Sequence, residues 1–465
     1  MCIIFFETED LLSGAAVQSP RAIEVAKLIV DDAGRILEKY TLCDSCLGRQ
    51  FGGLARGVTN KERGYSIKLT MALEAHMAQK RGDEKGEAAL KVLASNGRHA
   101  PAANVVGGSI EHDAKCFLCE DMLEKVQEYA MAVVRGLEEY HFKTFLMGVK
   151  VSGEFAERED RLRSEFGIEF GESLKMECSR EIGKEVSRLA KKEVEFATPD
   201  IVVMMSLPDG QIRLSPMPLY LRGRYRKMVR GIPQSKWDCV HCRGKGCEIC
   251  HGTGKIYPIS VEEIISGPVL AATKGVSTKF HGAGREDVDA IMIGNGRPFV
   301  IEIKEPQDRD PDLAALKEEI NALGAGRVEI DALKHSDKKT VRSLKEKSKV
   351  AEKTYRALVE TGGRVSDEDL ARLEKSFNGC FINQYTPKRV MHRRADKLRV
   401  KKVHELSIKR IDDAKVELVV RCQGGLYVKE LISGDEGRTK PSISELLGFG
   451  ARCIELDVIS VNEAI

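Results

Sequence analysis

Apolar residues recur with helical spacing in the first 140 residues of the chain. Residues 20–40 and 120–140 each place them on one side of a helix of 3.6 residues per turn, which predicts two amphipathic helices. Residues 60–79 between them are also predicted to be helical, whereas the Gly- and Ala-rich stretch from 80 to 108 is expected to be looser. The stripe of the later amphipathic helix consists of Met122, Val126, Tyr129, Val133, Leu137 and Tyr140. Such stripes indicate a packed core.

The middle of the chain changes to alternating and mixed patterns. Residues 145–151 and 201–207 are rich in apolar and β-branched residues and predict two strands. Helices are predicted between them at 157–166 and 177–192. This order indicates a small α+β domain, which we expect to end in the basic stretch 220–230.

Strand patterns dominate the last 200 residues. Residues 416–422 alternate between apolar and polar positions, as a strand with one buried face does, and 453–458 predict a further strand. Ser366 and Asp369 form a capping-box pattern that predicts a helix ending near Phe377. Residues 442–448 predict a short capped helix that stops at a glycine.

An unusually charged stretch lies at residues 284–306. It predicts one β-hairpin with Gly294-Asn295-Gly296 as the turn. The polar segment 307–349 that follows is expected to be helical or mobile, and its simplest interpretation is a surface insertion.

At 465 residues the chain is too long for a single hydrophobic core. The elements predict a multidomain α+β protein whose last domain has a mixed, mainly antiparallel sheet. We expect a helical metal-binding region at 1–130, the small α+β domain at 131–235, a linker at 236–258 and the large domain at 259–465.

No run of about 18 apolar residues is present, so the sequence predicts no membrane-spanning helix. The first 12 residues are apolar only briefly and then acidic, unlike a signal peptide. We therefore expect a cytoplasmic protein.

Thirteen cysteines in an intracellular chain indicate metal binding in preference to disulfides. Eight of them form four Cys-x-x-Cys pairs, and residues 239–254 repeat the pattern Cys-x-x-Cys-x-Gly-x-Gly twice. Four thiolates complete a tetrahedral zinc shell, so two structural Zn²⁺ sites are predicted and an open catalytic zinc is not. The two ligand sets are Cys43, Cys46, Cys116 and Cys119, and Cys239, Cys242, Cys247 and Cys250. The scattered Cys2, Cys178, Cys380, Cys422 and Cys453 are expected to be small buried hydrophobes.

Charge is nearly balanced overall, with 74 Lys and Arg against 71 Asp and Glu. Two stretches are locally basic: residues 220–230 hold five bases and no acid, and residues 385–402 hold eight bases and one acid. Because apolar and aromatic residues interleave with the bases, both stretches predict contact with a nucleic-acid backbone. The alternative is an ordinary solvated charged face.

The charged stretch supports two chemical interpretations. Arg285 and Asp287 place an acid beside a base at a turn. Asp289, Glu302 and Lys304 instead have the spacing of a metal-dependent nuclease site, with two metal-binding carboxylates and a lysine.

Three segments of the large domain resemble pseudouridine synthases. Gly284-Arg285-Glu286-Asp287 has the Gly-Arg-x-Asp form of their catalytic loop, 353–359 resembles their tyrosine strand, and 425–431 resembles the strand that carries their basic residue. With the paired cysteines and the segments 223–234, 386–396 and 432–439, most of the chain resembles the archaeal tRNA pseudouridine synthases with an N-terminal THUMP-type domain.

The resemblance implies isomerisation of uridine in the T-loop of tRNA, at position 55 and also at its neighbour 54. It further implies that the α+β domain at 131–235 is a THUMP-like RNA-binding domain that contacts the acceptor end. We expect the protein to act as a monomer.

Carried over to matching positions, the resemblance makes Asp287 the catalytic nucleophile or base. Lys429 would stabilise its charge, Arg285 would assist or hold the RNA open, and Tyr355 would offer a flat face to the uracil. The reaction needs neither a metal nor an organic cofactor. The residues expected to contact the RNA are Tyr427, Arg389, Arg393, Arg394, Arg224, Arg226 and Lys227.

Two other functions stay open on the sequence. The nuclease interpretation leaves Arg285, Tyr355 and the segment 427–431 unexplained. A non-catalytic tRNA-binding scaffold would bind tRNA in a salt-sensitive manner without turnover.

Overall fold

The computed structural model describes residues 20–108, 114–348 and 351–462. The expectations for the N-terminal 12 residues and Cys2 lie outside these ranges. The described residues form two compact units, one comprising residues up to 138 with 144–214, and the other 139–143 with 215–462. None of the described helices has the length and apolar character that a membrane crossing requires.

The first unit is rich in helices. Three of them confirm the helices expected near 20–40, 60–79 and 120–140, and two more confirm the pair predicted in the α+β domain. The helices are α1 (Pro20–Lys39), α2 (Asp44–Gly48), α3 (Asn60–Lys80), α4 (Glu84–Ser95), α5 (Ala100–Val106), α6 (Val126–Leu137), α7 (Gly153–Phe166) and α8 (Leu174–Ala190), with 3₁₀ turns at Arg49–Phe51 and Met122–Lys125.

The expectation of a loose stretch at 80–108 is wrong, because α4 and α5 occupy it. Leu90 and Leu93 of α4 are fully buried. Gly86 lets α4 approach α3 closely: a Cβ at this position would lie 2.5 Å from the carbonyl oxygen of Ala75. This glycine therefore serves close helix packing and does not mark a loop.

A four-stranded sheet completes the first unit. Its order is β2–β1–β3–β4, and β1 runs parallel to β3. α8 packs on this sheet, and the backbone amide of Val149 on β1 donates a hydrogen bond of 3.1 Å to Oγ of Ser179 on α8. The strands predicted at 145–151 and 201–207 are thereby confirmed. The strands are β1 (Thr144–Val151), β2 (Glu193–Val194), β3 (Ile201–Leu207) and β4 (Gln211–Pro216).

The second unit contains one sheet of eleven strands. The order is β14–β11–β12–β13–β10–β15–β7–β5–β8, with β6 beside β7 and β9 beside β5. β15 and β7 run parallel, whereas the pairs β10–β13, β10–β15, β12–β13 and β5–β7 are antiparallel, as expected for this domain. The strands are β5 (Leu219–Lys227), β6 (Ser277–Gly282), β7 (Ala290–Lys304), β8 (Val328–Ile330), β9 (Lys334–Ser336), β10 (Glu352–Thr361), β11 (Phe381–Gln384), β12 (Arg399–Arg410), β13 (Lys415–Gln423), β14 (Thr439–Lys440) and β15 (Ala451–Asn462).

Helices cover the sheet over two hydrophobic cores. α12 and α14 begin at the predicted caps, Ser366 and Ser442. Tyr355 on β10 packs against both cores. The helices are α9 (Val261–Thr273), α10 (Leu313–Gly324), α11 (Lys338–Lys347), α12 (Asp367–Phe377), α13 (Val428–Ser433) and α14 (Ile443–Leu447), with 3₁₀ turns at Glu248–Cys250, Lys388–Arg393 and Asp435–Gly437.

The predicted hairpin at 284–306 is wrong. Residues 290–304 form a single strand, β7, and Gly294-Asn295-Gly296 is a bulge within it, opposite the register shift between Tyr225 and Lys227 of β5. Gly294 has a positive φ, and a Cβ there would lie 1.9 Å from the carbonyl oxygen of Ile459. The bulge therefore brings β7 close against β15 without reversing the chain.

Three further expectations change. β5 pairs with β7, so the basic stretch 220–230 belongs to the large sheet and does not end the α+β domain. The segment 307–349 is no surface insertion, since its strands β8 and β9 pair with β5. The strand expected at 425–431 is a turn followed by α13, because β13 ends before Gly425, which has a positive φ.

Candidate active site

A cavity of about 430 Å³ opens in the second unit, where the loop before β7 meets β10 and the turn before α13. Its volume is within the range of small-molecule sites. Seven residues expected from the sequence line it together: Arg285, Asp287, Tyr355, Arg389, Arg394, Tyr427 and Lys429.

Two cations face the carboxylate of Asp287. Nη1 of Arg389 lies 3.2 Å from Oδ1 and 3.1 Å from Oδ2, and Nζ of Lys429 lies 3.7 Å from Oδ2. Lys429 is closer to Asp289, at 2.7 Å and 2.9 Å from its two carboxylate oxygens. Arg389, which we expected to contact RNA phosphate, is thus the nearer partner of Asp287.

Arg389 is held in place by Glu430 on α13. Its Nε donates a hydrogen bond of 2.6 Å to Oε1 of this buried glutamate. Burial acts to lower the pKa of Arg389, but Glu430 and Asp287 outweigh burial and raise it. The guanidinium is therefore a fixed positive charge beside Asp287.

Two tyrosines line the same cavity. Tyr355 is partly buried between the cores, and burial raises the pKa of its hydroxyl, so the hydroxyl keeps its proton at neutral pH. The Tyr427 hydroxyl accepts a hydrogen bond of 3.0 Å from Nη1 of Arg394. The guanidinium of Arg389 lies 6.0 Å from the Tyr427 ring centroid. Both rings offer flat surfaces for a nucleobase.

Arg285 is exposed on the loop before β7. Its guanidinium is 4.9 Å from the ring centroid of Trp237. Trp237 is the single tryptophan of the chain. This contact could not be predicted, because the two residues are distant in sequence and no local pattern links them.

A buried polar layer supports the loop from below. The carboxylate of Glu286 forms an ion pair of 2.8 Å with Nε of Arg297, and it accepts hydrogen bonds of 2.9 Å from the Tyr225 hydroxyl. Gln234 donates to that hydroxyl at 2.8 Å and to the carbonyl oxygen of Gly284 at 2.9 Å. All four side chains are buried. This layer, which no local sequence pattern revealed, fixes the loop at Gly284 and Glu286, just before Asp287.

The structure corrects the expectation that Lys227 contacts RNA. Lys227 is fully buried, and its Nζ donates to the carbonyl oxygens of Ile232, Asp287 and Val288 at 2.8–3.2 Å. Burial lowers its pKa to about 8. The lysine therefore holds the backbone of the loop before β7 in place.

Two neighbouring arginines that were also expected to contact RNA bind other groups of the protein instead. Arg224 donates to the carbonyl oxygens of Asn295, Gly296 and Val461 at 2.6–2.9 Å, and so fixes the bulge of β7. Arg226 forms an ion pair of 2.7 Å with Asp331. Neither lines the cavity. The side chain of Arg393 lies outside the described part of the structure.

The nuclease triad is not assembled. Asp289 precedes the first residue of β7 and pairs with Lys429, whereas Glu302 lies near the other end of that 15-residue strand and bonds to His281 at 3.0 Å. Lys304 is exposed. Among the described residues, the groups that could hold a metal ion are the two cysteine sets.

The first cysteine set joins two distant segments of the first unit, 43–46 and 116–119. Cys43 and Cys46 flank the start of α2, and the Sγ atoms of Cys43 and Cys119 are 3.8 Å apart. The backbone amide of Cys43 donates to Sγ of Cys116 at 3.4 Å. Tetrahedral Zn–S bonds of about 2.3 Å would separate the sulfurs by roughly 3.8 Å, so this geometry fits zinc.

The second set lies in the knuckle at 239–254. Its Sγ atoms are 3.9 Å apart for Cys239 and Cys247, and 3.8 Å apart for Cys242 and Cys250. Burial acts to raise the pKa of Cys250, but hydrogen bonds from the amides of Cys247 and Gly254 lower it to about 6. Four sulfurs at these spacings suit a tetrahedral metal ion.

Comparison with known proteins agrees with these features. Residues 220–462 match the model of the Pus10 C-terminal domain, and residues 129–206 match that of the archaeal Pus10 THUMP domain. The second match covers most of the observed α+β part of the first unit, and the first covers the large sheet and its cavity.

Curated relatives extend the match over nearly the whole chain. A protein of Methanothrix thermoacetophila named tRNA pseudouridine synthase Pus10 is 43% identical over 94% of this chain and 95% of its own length. One of Methanocaldococcus jannaschii with the same name is 44% identical over 94% of this chain and 98% of its own. A solved Cbf5-Nop10-Gar1 complex has a chain that overlaps 51% of this one and 49% of itself, at 17% identity and a TM-score of 0.29. The chain belongs to the Pus10 family of pseudouridine synthases, and the resemblance seen in its motifs is confirmed.

Proposed function

We propose that this enzyme isomerises uridine to pseudouridine in the T-loop of tRNA, at position 55 and also at position 54, with Asp287 as the catalytic group. The relatives that share most of its length are named tRNA pseudouridine synthases, which supports tRNA as the substrate. The observation that carries the catalytic assignment is the carboxylate of Asp287, which lines the cavity with Arg389 beside it and Tyr355 on the same wall.

The reaction exchanges one bond of the nucleoside for another. The bond from C1′ of the ribose to N1 of uracil breaks, the uracil rotates, and a bond from C1′ to C5 forms. The proton displaced from C5 passes to solvent, and N1 takes up a proton. Asp287 either attacks C1′ as a nucleophile or takes a ribose proton as a base, and it is regenerated in both routes. The energy for the exchange comes from the substrate itself, so no organic cofactor is proposed.

The cations around Asp287 suit either route. Its carboxylate must retain a negative charge in a cavity from which the substrate displaces water, and an uncompensated buried charge is costly. Arg389 and Lys429 supply compensating charge on two sides. Tyr355 would stack against the uracil, and Tyr427 with Arg394 would bound the nucleotide.

The target uridine has to leave the folded T-loop to enter the cavity. Arg285 above Trp237 and Arg394 beside Tyr427 stand at the cavity and would contact the displaced strand. We propose that the THUMP-like region of the first unit contacts the acceptor end, and that the enzyme acts as a cytoplasmic monomer.

Incubation with an unmodified tRNA transcript tests this function. We expect pseudouridine at positions 55 and 54, located by carbodiimide modification and primer extension, with the strand intact. Asp287→Ala should abolish the product, and Glu302→Gln should not, because Glu302 bonds to His281 away from the cavity. Cleavage of the transcript that requires Mg²⁺ would contradict the proposal, and tight binding without product would indicate a scaffold.

We propose that both cysteine sets hold structural zinc. They would tie together segments whose closure otherwise costs chain entropy. Elemental analysis should find two zinc ions per chain in the parent and one in Cys242→Ser, with Cys422→Ser as a control, because Cys422 is buried in the core away from either set. Fewer than two zinc ions per chain in the parent would show that at least one of the two cysteine sets does not hold zinc.

A further inference from the structure

The sheet edge formed by β14, β11 and β12 has one buried side and one exposed side. Along β11, Ile382 and Gln384 are fully buried, whereas Phe381 and Asn383 point outward. Phe381 pairs with Lys402 of β12, and Asn383 pairs with Val400 of β12 and with Lys440 of β14. Opposite residues of paired strands share a face.

Large apolar side chains are concentrated on this outer face. Phe381 is 60% exposed, Val400 55%, Leu398 51% and Tyr385 44%. Single exposed apolar residues are common on proteins, but several at alternating positions of neighbouring segments, with two aromatic rings among them, mark an interaction surface. We call these four residues with Lys402 and Lys440 the outer face.

Positive charge accompanies the aromatic rings. Nζ of Lys402 lies 5.8 Å from the ring centroid of Phe381, and the guanidinium of Arg438 lies 5.3 Å from that of Tyr385. Arg438 also donates a hydrogen bond of 2.6 Å to Asp396, which holds the guanidinium beside the Tyr385 ring. Lys440 is exposed.

The other side of the same two strands faces the catalytic cavity. Arg399 and Lys401, which pair with the buried Gln384 and Ile382, line the cavity that contains Asp287. β11 and β12 are therefore a wall between the cavity and the outer face. A strand of RNA with one nucleotide in the cavity needs to extend over this wall by only a few nucleotides to reach Phe381 and Tyr385.

We propose that the outer face binds unpaired nucleotides of the substrate RNA near the target uridine. Their bases stack on Phe381 and Tyr385, and their phosphates lie against Lys402 and Lys440. Exposed aromatic rings interleaved with bases are the arrangement that binds unstacked nucleotides, since rings take any base and cations take the backbone. The identity of the RNA rests on the proposed function, and the choice of nucleic acid as occupant rests on the complementary charge of this face.

The first test measures binding without turnover. In full-length protein carrying Asp287→Asn, the further changes Phe381→Ala and Tyr385→Ala together should raise the Kd for a tRNA transcript by about tenfold or more, since two stacked bases are lost. Phe381→Trp with Tyr385→Phe should restore the parent Kd. Ile411→Ala is the matched control, because Ile411 is 55% exposed on the turn between β12 and β13.

The second test isolates the phosphate contacts. Lys402→Gln and Lys440→Gln should each lower the slope of log Kd against log salt by about one. Lys409→Gln, an exposed lysine farther along β12, should leave the slope unchanged.

Unchanged Kd in the double alanine variant would overturn the proposal. So would a parent that sediments as a dimer at assay concentration while the alanine variant is a monomer of equal RNA affinity, which would assign the face to a second copy of this chain. Since binding is measured with an inactive variant, a parent that produces no pseudouridine would refute the proposed function without changing the outcome here.

Discussion

Glu286 and Asp287 are consecutive acidic residues whose side chains lie in different environments. The Glu286 side chain is fully buried and ends on Arg297 and Tyr225, whereas the Asp287 side chain is about one-third exposed and faces the cavity. A loop leaving a sheet can send neighbouring side chains to opposite sides, so two residues of one motif perform different tasks.

The difference between them lies in how their charge is compensated. Glu286 depends on partners that are as buried as it is, and removal of one partner would leave an unpaired charge in the interior. Asp287 shares its two cations with Glu430 and Asp289, so those cations keep partners when Asp287 is neutral. Glu286 is therefore expected to serve stability and Asp287 to serve chemistry.

The largest effect is expected for Asp287→Asn. Loss of the nucleophile or base should lower the rate of pseudouridine formation on the order of 10⁴-fold, and the free energy of unfolding should change by less than about 1 kcal/mol. Nucleoside chromatography measures the rate, and urea denaturation followed by Trp237 fluorescence measures the stability of the second unit. A large loss of stability would erase the distinction between the two acids.

Glu286→Gln should lower mainly the free energy of unfolding, in contrast to Asp287→Asn, which should lower mainly the rate. It leaves Arg297 buried and unpaired, which should cost about 3–5 kcal/mol in the same denaturation experiment. The double variant Glu286→Leu with Arg297→Met should lose less than either single change, because no buried charge remains. A double variant as unstable as the sum of both would contradict the ion-pair explanation.

Arg389→Gln should reduce the rate by about 10- to 100-fold, since a charge-assisted contact to Asp287 is removed while Lys429 remains. Arg389→Lys should retain part of the rate that Arg389→Gln loses. Arg452→Gln is the control, because Arg452 pairs with Glu360 on the surface. If Arg389→Gln were as active as the parent, Lys429 alone would support Asp287.

The smallest effect concerns pH and Lys227. Burial lowers the pKa of Lys227 to about 8, from 10.5 in the unfolded chain. Between these values the unfolded chain binds more protons, so this group makes the free energy of unfolding rise with pH. The stability of the parent relative to Lys227→Met should therefore increase by about 2 kcal/mol from pH 7.5 to 10. A constant difference would show that Lys227 keeps its ordinary pKa.

Features with a local signature could be predicted from the sequence. Cysteine spacing identified both four-thiolate sets, and the caps of α12 and α14 were visible in Ser366 and Ser442. The motif residues Asp287, Tyr355 and Lys429 do line one cavity. Their contacts were less predictable, because Arg389 reaches Asp287 across 102 positions of the chain.

Two of the wrong predictions, for Lys227 and for the hairpin, could have been avoided from signals that the sequence contains. Leu219, Leu221, Tyr225 and Lys227 are buried and occupy the same phase of β5, so the alternation of that strand could have placed Lys227 inside. The Gly-Asn-Gly segment resembles a hairpin turn, yet the apolar run 298–301 just after it indicates a central strand buried on both faces. The layer of Glu286, Arg297 and Gln234 had no such signal, because it depends on tertiary packing.

The most direct test of the account is single-turnover release of tritium from tRNA labelled at C5 of uridine, with the full-length enzyme in excess. Formation of the bond from C1′ to C5 displaces the label at each modified uridine. The account predicts release equal to the number of modified T-loop uridines, from an intact strand and without added metal. Bound tRNA that keeps all its label would contradict it.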